Sequence, residues 1–171
     1  MANWSDDTFD VLVDQGVHQV AYVPDAGHKR LIEHCAGENS GMRMVPLTTE
    51  EEGVALLAGA WLGGERGVLL MQSSGVGNCV NLFSLTKIGR FPLLMLVTMR
   101  GQWGEFNPWQ VPMGQSTAEV LRLSGVLVYP VEEAGQVAET VAAGARLAFE
   151  SAAAVAVLIG QRVIGIKTFG R

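Results

Sequence analysis

An α/β fold, with a parallel six-stranded sheet covered by helices on both faces, follows from three features of the 171-residue sequence. Short runs of Val, Ile, Leu and Ala alternate with longer segments of helical patterning along the whole chain. The strand runs are continuously apolar rather than alternating, as buried parallel strands are. Clusters of Gly, Pro, Asn and Asp punctuate the joints, so each run ends on a turn signal.

The elements follow in order. Ser5, Asp6 and Asp7 favour a helix start over 5–15, which places Phe9, Leu12 and Val13 on one face before Gly16. A strand over 18–23 stops at Pro24-Asp25-Ala26-Gly27, and a helix over 28–36 leads to a strand over 42–47. Residues 48–64 read as a helix and 67–72 as a buried strand. Ser73 to Asn78 reads as a loop, followed by a helix over 79–88. The most apolar strand, 92–99, precedes a Gly-, Trp-, Gln- and Pro-rich segment over 100–115, expected to lack regular structure. A short helix (116–123), a strand (126–131), an Ala-rich helix (133–150) and a last strand (153–160) complete one domain spanning 1–171.

Composition narrows the function. The formal net charge of −5 is dispersed, and no basic stripe invites nucleic acid. Apolar runs such as 91–97 and 152–160 fall far short of the ~20 residues a membrane span needs. Charged residues make up 17% of the chain, against roughly 25% in typical soluble domains. Such a surface implies association with other subunits, including further copies of this chain. Cys35 and Cys79 match no metal spacing and, behind an acidic start without a signal peptide, read as reduced thiols of a cytoplasmic protein. No His/Cys/Asp/Glu cluster suits a metal, and no nucleophile elbow accompanies the three histidines.

Sheets of this kind bind ligands beyond the carboxyl ends of their strands, so the loops at 24–29, 47–52, 73–78 and 100–115 carry the candidates. Thr49 and Glu52 have the spacing of a capping box, which accounts for one or two of Glu50, Glu51 and Glu52. Glu51 has the small residues Ala55 and Ala58 at i+4 and i+7, a face that would let another body approach. A carboxylate buried there would be costly unless paired, and desolvation would raise its pKa. Met71-Gln72-Ser73-Ser74-Gly75-Val76-Gly77-Asn78 lacks the third glycine or the lysine of a phosphate cradle. His28, Lys29 and Arg30 read either as a solvated helix start or as an anion site.

The run from Glu51 to Trp61 resembles the helix that carries the activating glutamate in pyrimidine-binding domains of thiamine-diphosphate enzymes. Matching Ala60-Trp61-Leu62 to the Gly-Tyr-Ala of that helix places the glutamate at 51. Residues 71–78 are similar to the S-G-x-G-N loop of the same family. The match is closest to the sulfopyruvate and phosphonopyruvate decarboxylases, as are Tyr22-Val23-Pro24-Asp25 and Gln110-Val111-Pro112-Met113-Gly114. Ala26 replaces the serine usual after that Asp.

The resemblance implies that Glu51 hydrogen-bonds N1′ of the aminopyrimidine and favours its imino form, with Ser74, Gly75, Gly77 and Asn78 bordering the ring. It implies a thiamine diphosphate cofactor whose Mg²⁺ and diphosphate are bound mainly by a partner β subunit carrying Gly-Asp-Gly, a motif absent here. Asp25, Ala26, Gln72, Ser73, Arg100 and Gln110 would face a small anionic 2-oxo acid. Gln72 reads equally as a structural amide, and Arg100 binds either the acid or a nearby carboxylate. The activity implied is decarboxylation to the aldehyde and CO₂. Carboligation of the acetolactate synthase type and a non-catalytic nucleotide-binding regulatory module are the alternatives.

Overall fold

The computed structural model describes residues 3–166; Met1 and Ala2 of the acidic start lie outside the described residues. Six strands, β1 (Val17–Tyr22), β2 (Arg43–Pro46), β3 (Arg66–Gln72), β4 (Leu93–Thr98), β5 (Leu127–Val131) and β6 (Ala154–Ile159), form one sheet of order β2-β1-β3-β4-β6-β5. Every neighbouring pair is parallel. The expected class is therefore the observed one.

The central strands are buried on both sides because their successive side chains feed two separate cores. Val68, Leu70, Leu94 and Leu96 point to one face, where Leu12 of α1 (Trp4–Asp14), Leu31 of α2 (Lys29–Cys35) and Val141 and Ala145 of α7 (Val137–Ser151) meet them. Leu69, Met71, Met95 and Val97 point to the other. There they meet Val54 and Leu57 of α3 (Glu50–Leu62), Val76 of α4 (Ser73–Cys79) and Leu121 of α6 (Val111–Leu123).

Two expectations need correction. The segment from Ser73 is not a loop: α4 starts on the residue after β3 ends, and α5 (Ser84–Gly89) follows it. Its glycines serve close approach rather than a turn, since neither Gly75 nor Gly77 has positive φ. A Cβ on Gly75 would overlap the Glu50 side chain, and one on Gly77 would touch Met113 at 3.6 Å.

The second correction concerns 100–115. A 3₁₀ turn at Pro108–Gln110 runs into α6, which begins at Val111 rather than 116. Pro112 sits in the first turn, where its missing N–H costs nothing, and Gly114 is where α6 crosses the Arg100–Gly101 backbone. Residues read as breakers are here a helix start and a crossing point. A short α8 (Gln161–Ile164) after β6 was not foreseen.

Candidate functional site

The chain runs outward to β2 after β1 and returns to β3 on the other side of β1, so a crevice opens at the carboxyl ends of these strands. Three consecutive glutamates begin α3 there, and the helix sends each a different way. Glu52 reaches back to accept the Thr48 N–H at 2.9 Å, a near relative of a capping box. Glu51, half-buried, accepts the Thr49 hydroxyl, and that hydrogen bond, with one from its own backbone, lowers its pKa. Glu50 turns inward and is 8% exposed.

This corrects the expectation for Glu51, whose carboxylate is neither buried nor pushed upward in pKa. The buried residues of α3 are Glu50, Gly53, Val54, Leu57 and Ala58; of the two alanines assigned to the Glu51 face, Ala58 is buried and Ala55 exposed. Sequence spacing does not separate the two: Gly53, Val54 and Leu57 stand at i+3, i+4 and i+7 from Glu50, as Val54, Ala55 and Ala58 do from Glu51, in a helix apolar nearly all round. Packing against β3 and α4 decides which carboxylate turns inward.

Glu50 Oε2 accepts the Asn78 Nδ2 at 2.7 Å, and its side chain packs against Gly75. These residues, with Ser74 and Gly77, form the polar side of a cleft of about 820 Å³. Pro108, Trp109, Pro112 and Met113 form its apolar side. Cys79, one turn below, is buried and free, and desolvation, aided by the charges of Glu50 and Glu51, pushes its thiol up to about 12.

A second polar group adjoins the cleft. Asp25, at the end of β1, accepts Gln72 Nε2 at 3.1 Å on Oδ1. Its Oδ2 accepts the Thr98 hydroxyl at 2.6 Å and the Gly27 N–H at 3.0 Å. Gln72 in turn accepts the Ser74 hydroxyl at 2.9 Å, so a hydrogen-bonded chain runs from Thr98 through Asp25 and Gln72 to the cleft. Behind Asp25 lies His28, fully buried, its Nδ1 3.8 Å from Asp25 Oδ2 and both ring nitrogens without a hydrogen bond. Burial holds its pKa down at about 4 against the opposing pull of Asp25.

Other expected ligand residues are engaged elsewhere. Ser73 Oγ accepts the Arg100 N–H at 3.1 Å, tying β3 to β4. Arg100 pairs with Glu105 through Nε at 2.6 Å and Nη2 at 2.5 Å, both side chains buried. Of the two readings left open for Arg100, the structure shows the acid pair. Glu105 also accepts the Gly101 and Asn107 N–H groups and Gln161 Nε2, while Gln161 Oε1 takes the Gln102 and Trp103 N–H groups. Glu105 and Gln161, singled out by no motif, thus give the 100–110 segment its order. Gln110 is half-buried with its amide oxygen unpartnered and stands outside the Glu50 cleft. Ala26 is exposed and lines a hollow of about 440 Å³ with Tyr22, Pro24, Asp25 and Lys29. With Asp25, Gly27 and Arg100 it also lines a smaller one of about 90 Å³, which brings three of the expected substrate residues together.

The donor set of the cleft suits an aminopyrimidine. A buried carboxylate and a side-chain amide address a heterocycle's edge, glycines let it approach the backbone, and the apolar side can cover a ring face. Among the described residues no group of three or more His, Cys, Asp or Glu stands where it would hold a metal ion, and no helix is long and apolar enough to cross a membrane.

A parallel α/β domain with a buried carboxylate in a cleft at its strand ends has the architecture of a ligand-binding domain. The family model for the thiamine pyrophosphate enzyme N-terminal TPP-binding domain matches residues 2–110, and the chain belongs to that family. It is 38% identical over 120 residues to the sulfopyruvate decarboxylase subunit alpha of Methanococcus maripaludis, covering 70% of this chain and 71% of that one. With the same subunit of Methanothermobacter thermautotrophicus it shares 35% over 147 residues, covering 85% and 88%. The phosphonopyruvate decarboxylase of Streptomyces viridochromogenes is 39% identical over 114 residues, 66% of this chain but 28% of that enzyme. A solved 2-oxoglutarate:ferredoxin oxidoreductase from Magnetococcus marinus shares the fold with a TM-score of 0.74, at 15% identity over 95% of this chain and 29% of that one.

Proposed function

We propose that this chain is the α subunit of a thiamine-diphosphate-dependent decarboxylase of small anionic 2-oxo acids, sulfopyruvate first and phosphonopyruvate second. The observation that carries the reading is the Glu50 carboxylate, buried in the cleft, held by Asn78 and set against Gly75. The named activities of the sulfopyruvate and phosphonopyruvate relatives support the choice of substrate.

Thiamine diphosphate, when bound, supplies the electron sink that lets carbon dioxide leave a 2-oxo acid. This chain's part is to hold and tune the aminopyrimidine. Glu50, buried where Glu51 is not, holds or moves a proton at the ring nitrogen N1′, the task of a general acid–base. Asn78 binds Oε2 and so fixes the carboxylate's rotation. Ser74, Gly75 and Gly77 exclude water along the ring's flank. Asp25 and Gln72 act as positioning residues: their polar atoms already meet Thr98, Gly27 and Ser74. Ala26 lines the hollow next to them.

The sequence holds no Gly-Asp-Gly. In this reading Mg²⁺ and the diphosphate are bound by a β subunit, as the designation "subunit alpha" implies for the relatives. The low content of charge supports hetero-oligomeric association and contact between α chains, and the two free buried thiols suit a cytoplasmic enzyme.

The test is reconstitution with a candidate Gly-Asp-Gly-bearing β subunit from the same organism, plus thiamine diphosphate and Mg²⁺, following carbon dioxide from 3-sulfopyruvate, phosphonopyruvate and pyruvate. Release that needs both chains and is lost in Glu50→Gln supports the proposal. A cofactor-loaded complex that releases nothing from any of the three overturns decarboxylation and makes carboligation the reaction to assay.

A further inference from the structure

We infer that Trp109 is a cofactor-contacting residue, the apolar face against which the aminopyrimidine ring is held. The inference rests on the proposed function and deepens it. Trp109 is 82% exposed, an arrangement that leaves a large aromatic surface in water unless something covers it. It lines the same cleft as Glu50 and Asn78, on the opposite, apolar side with Pro108, Pro112 and Met113. An aminopyrimidine has polar atoms around its edge and apolar faces. Glu50 and Asn78 answer the edge, and only the Trp109 side of the cleft offers a surface for a face.

The backbone beneath Trp109 is held in advance. Its N–H donates to Asn107 Oδ1 at 3.1 Å, and Asn107 N–H donates to Glu105 Oε1 at 3.1 Å. Glu105 is locked to Arg100 and Gln161. A tryptophan carried on so many fixed contacts presents its ring without first having to order a loop, which favours ligand contact at little entropic cost. Docking of a partner subunit on Trp109 is the competing use, and the experiment separates the two.

The complex of this chain with its β subunit is titrated with thiamine diphosphate and Mg²⁺ by calorimetry and by tryptophan fluorescence. Wild type is compared with Trp109→Phe, Trp109→Ala and Glu50→Gln. Because the side chain is exposed, neither Trp109 variant removes a core contact. The expected result is a loss of cofactor affinity of about tenfold in Trp109→Ala, largely restored in Trp109→Phe. Ligand should change the fluorescence of wild type, and that change should disappear in Trp109→Phe, although three other tryptophans remain. Unchanged affinity and an unchanged fluorescence response in both variants overturn the inference while leaving the cofactor reading intact. Weakened subunit association with unchanged cofactor affinity overturns it in favour of docking. No binding by the wild-type complex overturns both.

Discussion

Glu50→Gln and Glu51→Gln are a pair whose outcomes should diverge although the residues are adjacent. Glutamine has nearly the same shape as glutamate, and at 50 its amide oxygen still accepts Asn78 Nδ2, so the Gly75 contact and the fold survive. The hydrogen bond changes from charge-assisted to neutral, a cost on the order of 1 kcal/mol. What is lost is a group that can hold a proton at N1′. General acid–base groups contribute about 10²- to 10⁴-fold, and kcat for carbon dioxide release should fall in that range with the complex still assembled. At 51 the amide oxygen still accepts the Thr49 hydroxyl, and kcat should stay within about twofold of wild type. Steady-state decarboxylation and urea denaturation, run on both variants, separate chemistry from folding. If Glu51→Gln collapses kcat while Glu50→Gln remains within a few-fold of wild type, the assignment from burial and helix face is wrong.

Further outcomes follow from the buried polar groups. Asp25→Asn places an NH₂ against donors on one side or the other of the carboxylate, and should cost about 2–3 kcal/mol in urea denaturation. Cofactor affinity should change less than stability. Glu105→Gln leaves Arg100 buried without its countercharge and should destabilise the fold by about 3–5 kcal/mol, releasing the 100–110 segment to protease. In wild type the hydrogen bonds from Arg100 hold the Glu105 carboxyl at about 2 against an ordinary 4.5. That stabilisation is complete above pH 4.5 and is lost as pH falls through 2, on the order of 3 kcal/mol in all. His28 acts in a higher window: buried neutral, with a pKa of about 4 against 6.5, it makes stability fall as pH drops from 6.5 to 4. His28→Leu should flatten that part of the stability curve, and an imidazole seen by NMR to titrate near 6.5 would refute the assignment.

The sheet was legible because its central strands β3, β4 and β6 are nearly uninterrupted apolar runs buried on both faces, while β1, β2 and β5, with polar or exposed positions, were placed by their alternation with helices. The Ser73–Asn78 segment and the first turn of α3 were singled out because they follow the carboxyl ends of strands and resemble the motifs of a known family; the glycine pattern by itself carries little information. The short pattern pointed to Glu51, whereas burial turns Glu50 inward. Because α3 is apolar nearly all round, its sequence does not say which of the adjacent glutamates faces the cleft, and the paired Gln variants test which one acts. Ser73–Cys79 was misread because Ser and Gly mark turns locally, whereas here small size lets two helices touch. The Glu105–Gln161 network joins residues 56 positions apart, a separation across which local patterning carries no information.

Because β3 passes into α4 with no residue between them, the floor of the cleft has no slack. One residue inserted at that junction would rotate everything beyond it by about 100° about the helix axis, carrying Gly75 and Asn78 away from Glu50 together. One residue removed would do the same in the opposite sense. The distance along the chain from the last strand residue to Asn78 is thus as much a determinant of the site as the identity of Asn78. Changes of length during divergence, or in engineered chimaeras, are tolerable in the connections remote from this seam, such as the turn at Gly37–Gly41, and should be rejected within it.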